Sequence, residues 1–234
     1  MPQTAHLSSD FDAELAAIRG QLLTAGGIVE YQIRHAVEAL RTGDVALVAR
    51  VIAGELRVND LERTIDAACT EVIARRAPTA GDLRFLIMAY KSITDLERIG
   101  DEAKKIALFA RNPRLSDHVR PGFREIQAVS ALVIEMLRRA LDDIARSSAE
   151  DAPEIARLDF EVDERFRTIL RELLTYMIED PRTISAALET VFAAKALERI
   201  GDHAKNISEY VVYMSNGRDV RHATFEELEL AARA

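Results

Sequence analysis

The sequence predicts an all-α protein: a tandem repeat of two elongated antiparallel three-helix bundles, six long helices in all. Three observations carry that prediction. LERIGDEAKKI at residues 96–106 returns as LERIGDHAKNI at 197–207, with two differences in eleven positions and a separation of 101 residues. Apolar residues recur at intervals of three and four, so that Leu83, Leu86, Ile93, Leu96, Ile99, Ala103, Ile106 and Ala110 form one stripe. Breakers then cut the chain at regular intervals, leaving three long segments on either side of a proline-containing loop.

The elements follow in order. Ser8, Ser9 and Asp10 offer starts for a first helix of about thirty residues, which TGD at 42–44 ends. A second helix runs from about Asp44 to Arg76 and meets APTAGD; a third runs from about Thr79 to Arg111 and stops at NPRLSD. After a loop carrying Pro113, Pro121 and Gly122, a fourth helix covers roughly 122–147. SSAEDAPE separates it from a fifth, which ends at EDPR near residue 181. Proline suits the first turn of a helix, so Pro181 is expected to open the sixth, which reaches about Asn216. The closing GRDVRHATFEELELAARA is expected to hold one more helical turn or to fray. No segment alternates apolar and polar residues long enough to make a strand. Each rod of about thirty residues spans roughly 45 Å at ~1.5 Å per residue, and short turns between rods give up-down-up bundles. Residues 1–113 are then the first bundle, 114–216 the second and 217–234 a C-terminal tail.

Bulk properties bound the function. The 234 residues are 48% hydrophobic and 30% charged, with no tryptophan, the profile of a soluble and mostly helical protein. A formal charge of −8 argues against gripping nucleic acid, which asks for a basic face. With one cysteine, Cys69, no intramolecular disulfide can form, and Ala67, Ala68, Val72 and Ile73 around it suggest a buried small hydrophobe. The first fifteen residues show no positive region followed by an apolar stretch, and no apolar run approaches the ~20 residues of a membrane span. A cytoplasmic location without direct membrane insertion is the expectation.

Within the repeated block, Glu97 and Asp101 stand four apart, as do Glu198 and Asp202, so each pair shares a helix face one turn apart. Like charges so spaced repel. At ~100° per residue they flank the Leu96–Ile99–Ala103–Ile106 stripe and should lie at the bundle's edge, partly exposed. Gly100 and Gly201 are poor helix residues, and their use suggests that a neighbouring helix approaches closely there. The second helix of each repeat offers partners: Asp159 and Asp163 in LDFEVDERF, and Glu55 and Asn59, with Asp60 and Glu62 nearby, in GELRVNDLE. Oxygen ligands from two adjacent helices suit hard or borderline cations, whether Mg, Ca or Mn or oxygen-ligated Fe and Zn. A solvated charged face is the competing reading, with Lys104 and Lys205 close enough to neutralise the acids while Arg98 and Arg199 point elsewhere.

Recognisable catalytic chemistry is missing. Glu-x-x-His pairs, GxxxxGK[ST], GxGxxG, GxSxG and HExxH do not occur. Among the scattered histidines His35, His118, His203 and His222, only His203 adjoins an acidic candidate, and its place on the wheel suggests exposure. An enzyme is not expected.

ARRAPTAGDLRFLIMAYKSITDLERIGDEAKKIA resembles the central signature of the PhoU family of phosphate uptake regulators, and MIEDPRTISAALETVFAAKALERIGDHAKNISEYVVYM resembles that family's second-repeat signature. The resemblance covers nearly the whole chain, with the actinobacterial PhoY type nearest in pattern. It implies a cytoplasmic, often dimeric tandem bundle that restrains phosphate-starvation signalling by linking the Pst phosphate ABC transporter, through its ATPase subunit, to a sensor histidine kinase of a two-component system. It also implies metal clusters, iron or zinc among them, on E/D-x-x-x-D motifs. Carried over residue by residue, the second site would use Asp159, Asp163, Glu198 and Asp202. The first would use Glu55, Glu97 and Asp101, with Asn59 standing where the family pattern has Asp. A metal-dependent enzyme or metal store built on these carboxylate clusters is the alternative, and a bare helical scaffold the third reading.

Overall fold

The computed structural model describes residues 9–111, 122–221 and 223–232. The first-helix start at Ser8, the boundary between 113 and 114, Pro113, Pro121, His118 and His222 lie outside the described residues. Among those described, the chain is helical throughout, with no strand: α1 (Ser9–Thr42), α2 (Val45–Arg76), α3 (Ala80–Phe109), α4 (Phe123–Arg146), α5 (Ala152–Glu179), α6 (Ile184–Asn216) and α7 (Phe225–Ala232).

Local chemistry sets the ends. Gly43 takes a left-handed φ of 70° to turn the chain, and Asp44 then caps α2 by accepting from Ala46 N–H at 2.7 Å. At the other end of the second repeat, Gly217 (φ 71°) closes α6, its N–H donating to Tyr213 O. Pro181 does not open α6 as expected. Asp180 accepts from the Arg182 N–H at 3.0 Å and holds Pro181–Thr183 in a separate 3₁₀ turn, so α6 begins at Ile184. The tail forms two full turns rather than one or a fray, because Leu228 and Ala231 of α7 are buried against α5 and α6.

Helices α1, α2 and α3 pack on one another, as do α4, α5 and α6. The two bundles lie side by side, α3 against α6 in the most extensive interface and α1 against α4 beside it. One continuous core results: Leu22, Ile33, Leu96, Ile99 and Ile106 are fully buried in the first bundle, and Val133, Leu137, Leu197, Ile200 and Ile207 in the second. Gly26 makes the α1–α4 approach possible, since a Cβ there would sit 2.4 Å from Leu141 Cδ2.

Polar groups cross the bundle seam. Asp95 on α3 lies 2.6 Å from His203 Nδ1 and accepts from Asn206 Nδ2 at 3.3 Å, both on α6. Buried Glu102 forms an ion pair with Arg199, its Oε1 3.1 Å from Nη1, across the same interface. His203 is therefore half-buried rather than exposed: the helical wheel of α6 alone placed it away from its own bundle's stripe, and the first bundle covers that side. No helix is long and apolar enough to cross a membrane, among the residues described.

Candidate functional site

The acidic positions gather at two places, each on the open seam between the second and third helix of a bundle. In the second bundle, Asp159 is buried and Asp163 partly exposed on α5, on either side of the buried Val162, and Glu198 and Asp202 flank Leu197 and Ile200 on α6. Their mutual influence shows in the charges. Burial, then the neighbouring Glu198, Asp159 and Asp163 carboxylates, push Asp202 up to about 6. Burial followed by Asp159 and Glu198 raises Asp163 in the same way. Lysine ammoniums provide partial relief: Lys205 Nζ donates to Asp159 Oδ2 at 2.8 Å and Lys195 Nζ to Glu198 Oε1 at 2.6 Å. Glu198 Oε2 is buried without a hydrogen-bond partner.

In the first bundle, Glu55 on α2 is buried and takes a 2.9 Å bond from Lys104 Nζ, while Glu97 and Asp101 of α3 are partly exposed. Burial, then Asp101 and Glu62, raise Glu97 above the usual glutamate range. Glu62 is raised by burial and by Asp66. Glu62 thus belongs to this cluster, one turn beyond Asn59, and Asn59 Oδ1 is buried and unpartnered. The spacing of seven from Glu55 to Glu62 was legible as a shared helix face; what no sequence pattern showed was that Glu62, rather than exposed Asp60, turns toward α3.

Each expected acid is therefore found on its expected face, Glu97 and Asp101 at the partly exposed edge and the two lysines acting as neutralisers. Arg98 stays near its own neighbour Glu97, 3.7 Å away, and Arg199 leaves the cluster altogether for Glu102. The repeated glycines part company. A Cβ at Gly100 would stand 3.2 Å from Gln32 Oε1, a side chain rather than a helix backbone, whereas at Gly201 the nearest atoms are 3.6 Å away, an ordinary contact. Cys69 is buried and its thiol is pushed up to about 11 by burial and Asp66, as befits a core residue.

Among the described residues no three acidic, histidine or cysteine side chains converge on one ligating point as they stand, the carboxylates being turned to lysines. The donor set nonetheless fits a cation: oxygens only, drawn from two helices, with an unpartnered buried oxygen at each cluster. Each of these lysines brings a single charge on a partly exposed side chain, a weak hold that a divalent ion can displace.

Comparisons with known proteins agree over almost the full length. The family model described as PhoU domain matches twice, at residues 22–110 and 126–211. The phosphate-specific transport system accessory protein PhoU homolog of Pseudomonas putida is 47% identical over 219 residues, 94% of this chain and 86% of that protein. The PhoU of Escherichia coli K12, named as a phosphate-specific transport system accessory protein, is 42% identical over 224 residues, 96% of this chain and 92% of its own. The crystal structure of PhoU from Pseudomonas aeruginosa superposes with a TM-score of 0.85 at 45% identity, covering 89% of this chain and 100% of that one. The Streptococcus pneumoniae phosphate transport system regulatory protein PhoU gives 0.82 at 26% identity, covering 90% and 99%.

Proposed function

The chain belongs to the PhoU family, and on that premise we propose that it is a cytoplasmic regulatory adaptor that restrains phosphate uptake and phosphate-starvation signalling. It acts by binding rather than turnover, as a homodimer that links the ATPase subunit of the Pst transporter to a phosphate-sensing histidine kinase. The observation that carries this reading is identity of 42–47% along 94–96% of the chain to phosphate-specific transport system accessory proteins. An adaptor needs only two states with different affinities for its partners, and coupling follows from that difference.

Two packed bundles with a polar seam suit such a role. The α3–α6 interface is held by polar pairs, Asp95 with His203 and Glu102 with Arg199, as well as by apolar area. Within the same reading, the second cluster (Asp159, Asp163, Glu198, Asp202) binds a divalent, iron or zinc ion, and Glu55, Glu97 and Asp101 serve the first. A bound cation supplies positive charge that the lysines only partly provide. Its charge would oppose the burial and carboxylate crowding that raise Asp163 and Asp202.

The test is recovery of partners. Tagged protein isolated from phosphate-replete cells should bring down the transporter ATPase or the kinase. A deletion strain should express phosphate-responsive genes in high phosphate. Recovery of neither partner under conditions that preserve both, together with normal phosphate-responsive transcription in the deletion strain, would refute the adaptor reading.

A further inference from the structure

Gln32 is the one polar side chain of α1 that is wholly buried among the described residues, at 0% exposure. Its Nε2 donates to Val51 O at 3.0 Å, which fixes the amide so that Oε1 faces away from that carbonyl. That oxygen has no hydrogen-bond partner. Two glycines clear its path: a Cβ at Gly54 would stand 2.9 Å from Gln32 Cγ, and one at Gly100 3.2 Å from Oε1. Gly100 lies in the single turn between Glu97 and Asp101, and Gly54 immediately precedes Glu55. The amide oxygen thus reaches, from the core side, the turn of α3 that bears Glu97 and Asp101.

We propose that Gln32 Oε1 is the inner ligand of an all-oxygen site for a hard divalent cation in the first bundle, completed by Glu55, Asn59, Glu62, Glu97 and Asp101. This rests on the reading of the acidic clusters as cation sites and adds the residue that distinguishes one from the other. Asn59 Oδ1, a second amide oxygen, is likewise buried and unpartnered in this seam. A neutral amide oxygen satisfies a cation's coordination shell without adding to carboxylate repulsion, the composition that hard cations of the Mg²⁺ and Mn²⁺ type accept. At the place where Gln32 meets Gly100, the second bundle presents Met136, whose Cε lies 3.6 Å from the Cβ position of Gly201. Its acids, Asp159, Asp163, Glu198 and Asp202, are all charged. The substitution of Asn59 is therefore not a loss from a shared design: the first site gains Gln32 and Glu62 and takes its ion deeper in the bundle. Lys104, one-third exposed at its side chain, occupies Glu55 as a single positive charge that a divalent ion displaces.

The experiment titrates Mn²⁺ into the full chain carrying Glu198→Ala and Asp202→Ala, so that the first cluster is read alone by the free-Mn²⁺ electron paramagnetic resonance signal and by calorimetry. Gln32→Met, which copies the second bundle, should weaken Mn²⁺ binding by about tenfold or more, the scale on which a single supporting contact to a metal site acts. Gln32→Glu, of the same shape with one more charge, should tighten it, and its melting temperature in chelator shows whether the fold is intact. If Mn²⁺ binds with one affinity in all three proteins, Gln32 is a core amide satisfied by water and the proposal is overturned while the cation reading stands. If the chain with Gln32 intact binds no Mn²⁺, the proposal falls together with the cation reading of the first cluster.

Discussion

Replacing Asp202 by asparagine should stabilise the metal-free protein at neutral pH, although it deletes a charge from the second carboxylate cluster. Burial and the carboxylates of Glu198, Asp159 and Asp163 raise Asp202 from 3.8 to about 6. A shift of that size corresponds to roughly 3 kcal/mol of disfavoured ionisation. Asp202 still exposes more than a third of its surface to water, and screening there brings the expected gain from Asp202→Asn down to about 1 kcal/mol. The folded carboxyl holds its proton more tightly than the unfolded one. Its penalty is therefore absent below 3.8, grows as pH rises, and is complete above about 6. Urea denaturation in chelator should show the variant more stable than the parent at pH 7.5 and indistinguishable from it near pH 4. Saturating divalent cation should reverse the order at pH 7.5, because only the parent gains the full binding free energy. A variant less stable than the parent in chelator at pH 7.5, or an equal difference at both pH values, would refute the claim that crowded carboxylates strain this seam.

Three further outcomes follow from the packing. Gly26→Ala forces a Cβ to within 2.4 Å of Leu141 and should cost about 1–3 kcal/mol, whereas Gly27→Ala, with open space around it, should stabilise by ~1 kcal/mol; thermal melts of the pair read both signs. Asp95→Ala leaves His203 and Asn206 without their acceptor in the bundle seam and should cost about 1–3 kcal/mol in urea denaturation, with the bundle–bundle interface opening first in hydrogen exchange. Cys69, fully buried with its thiol pushed up to about 11, should resist a disulfide reagent at pH 8 in the folded protein and react at once in denaturant.

Much of the molecule was legible in the chain. The period of the apolar residues set the helices, and glycine, proline and Asp44 set most of their ends, since each acts through its own backbone geometry or a bond to a near neighbour. The copied LERIGD block located the equivalent third helices, and with them the acidic pairs. Pro181 shows where that reasoning stops: the residue suited a helix start, but the Asp180 side chain bond made a separate turn of it. His203 shows the larger limit. A wheel drawn on α6 knows only one neighbour face, and this histidine is turned to Asp95 of the other bundle.

The sequence by itself determined the helical rods, their order, the duplication and the faces on which Glu55, Glu97, Asp101, Asp159, Asp163, Glu198 and Asp202 stand, because periodicity is a property of each helix alone. Only the tertiary structure decided how the two bundles meet, and that Gln32 crosses from α1 to Gly100 while its counterpart Met136 stays in an apolar core. These are contacts between helices far apart in sequence, and which side chain fills which gap depends on how the rods pack, a distance no local pattern encodes.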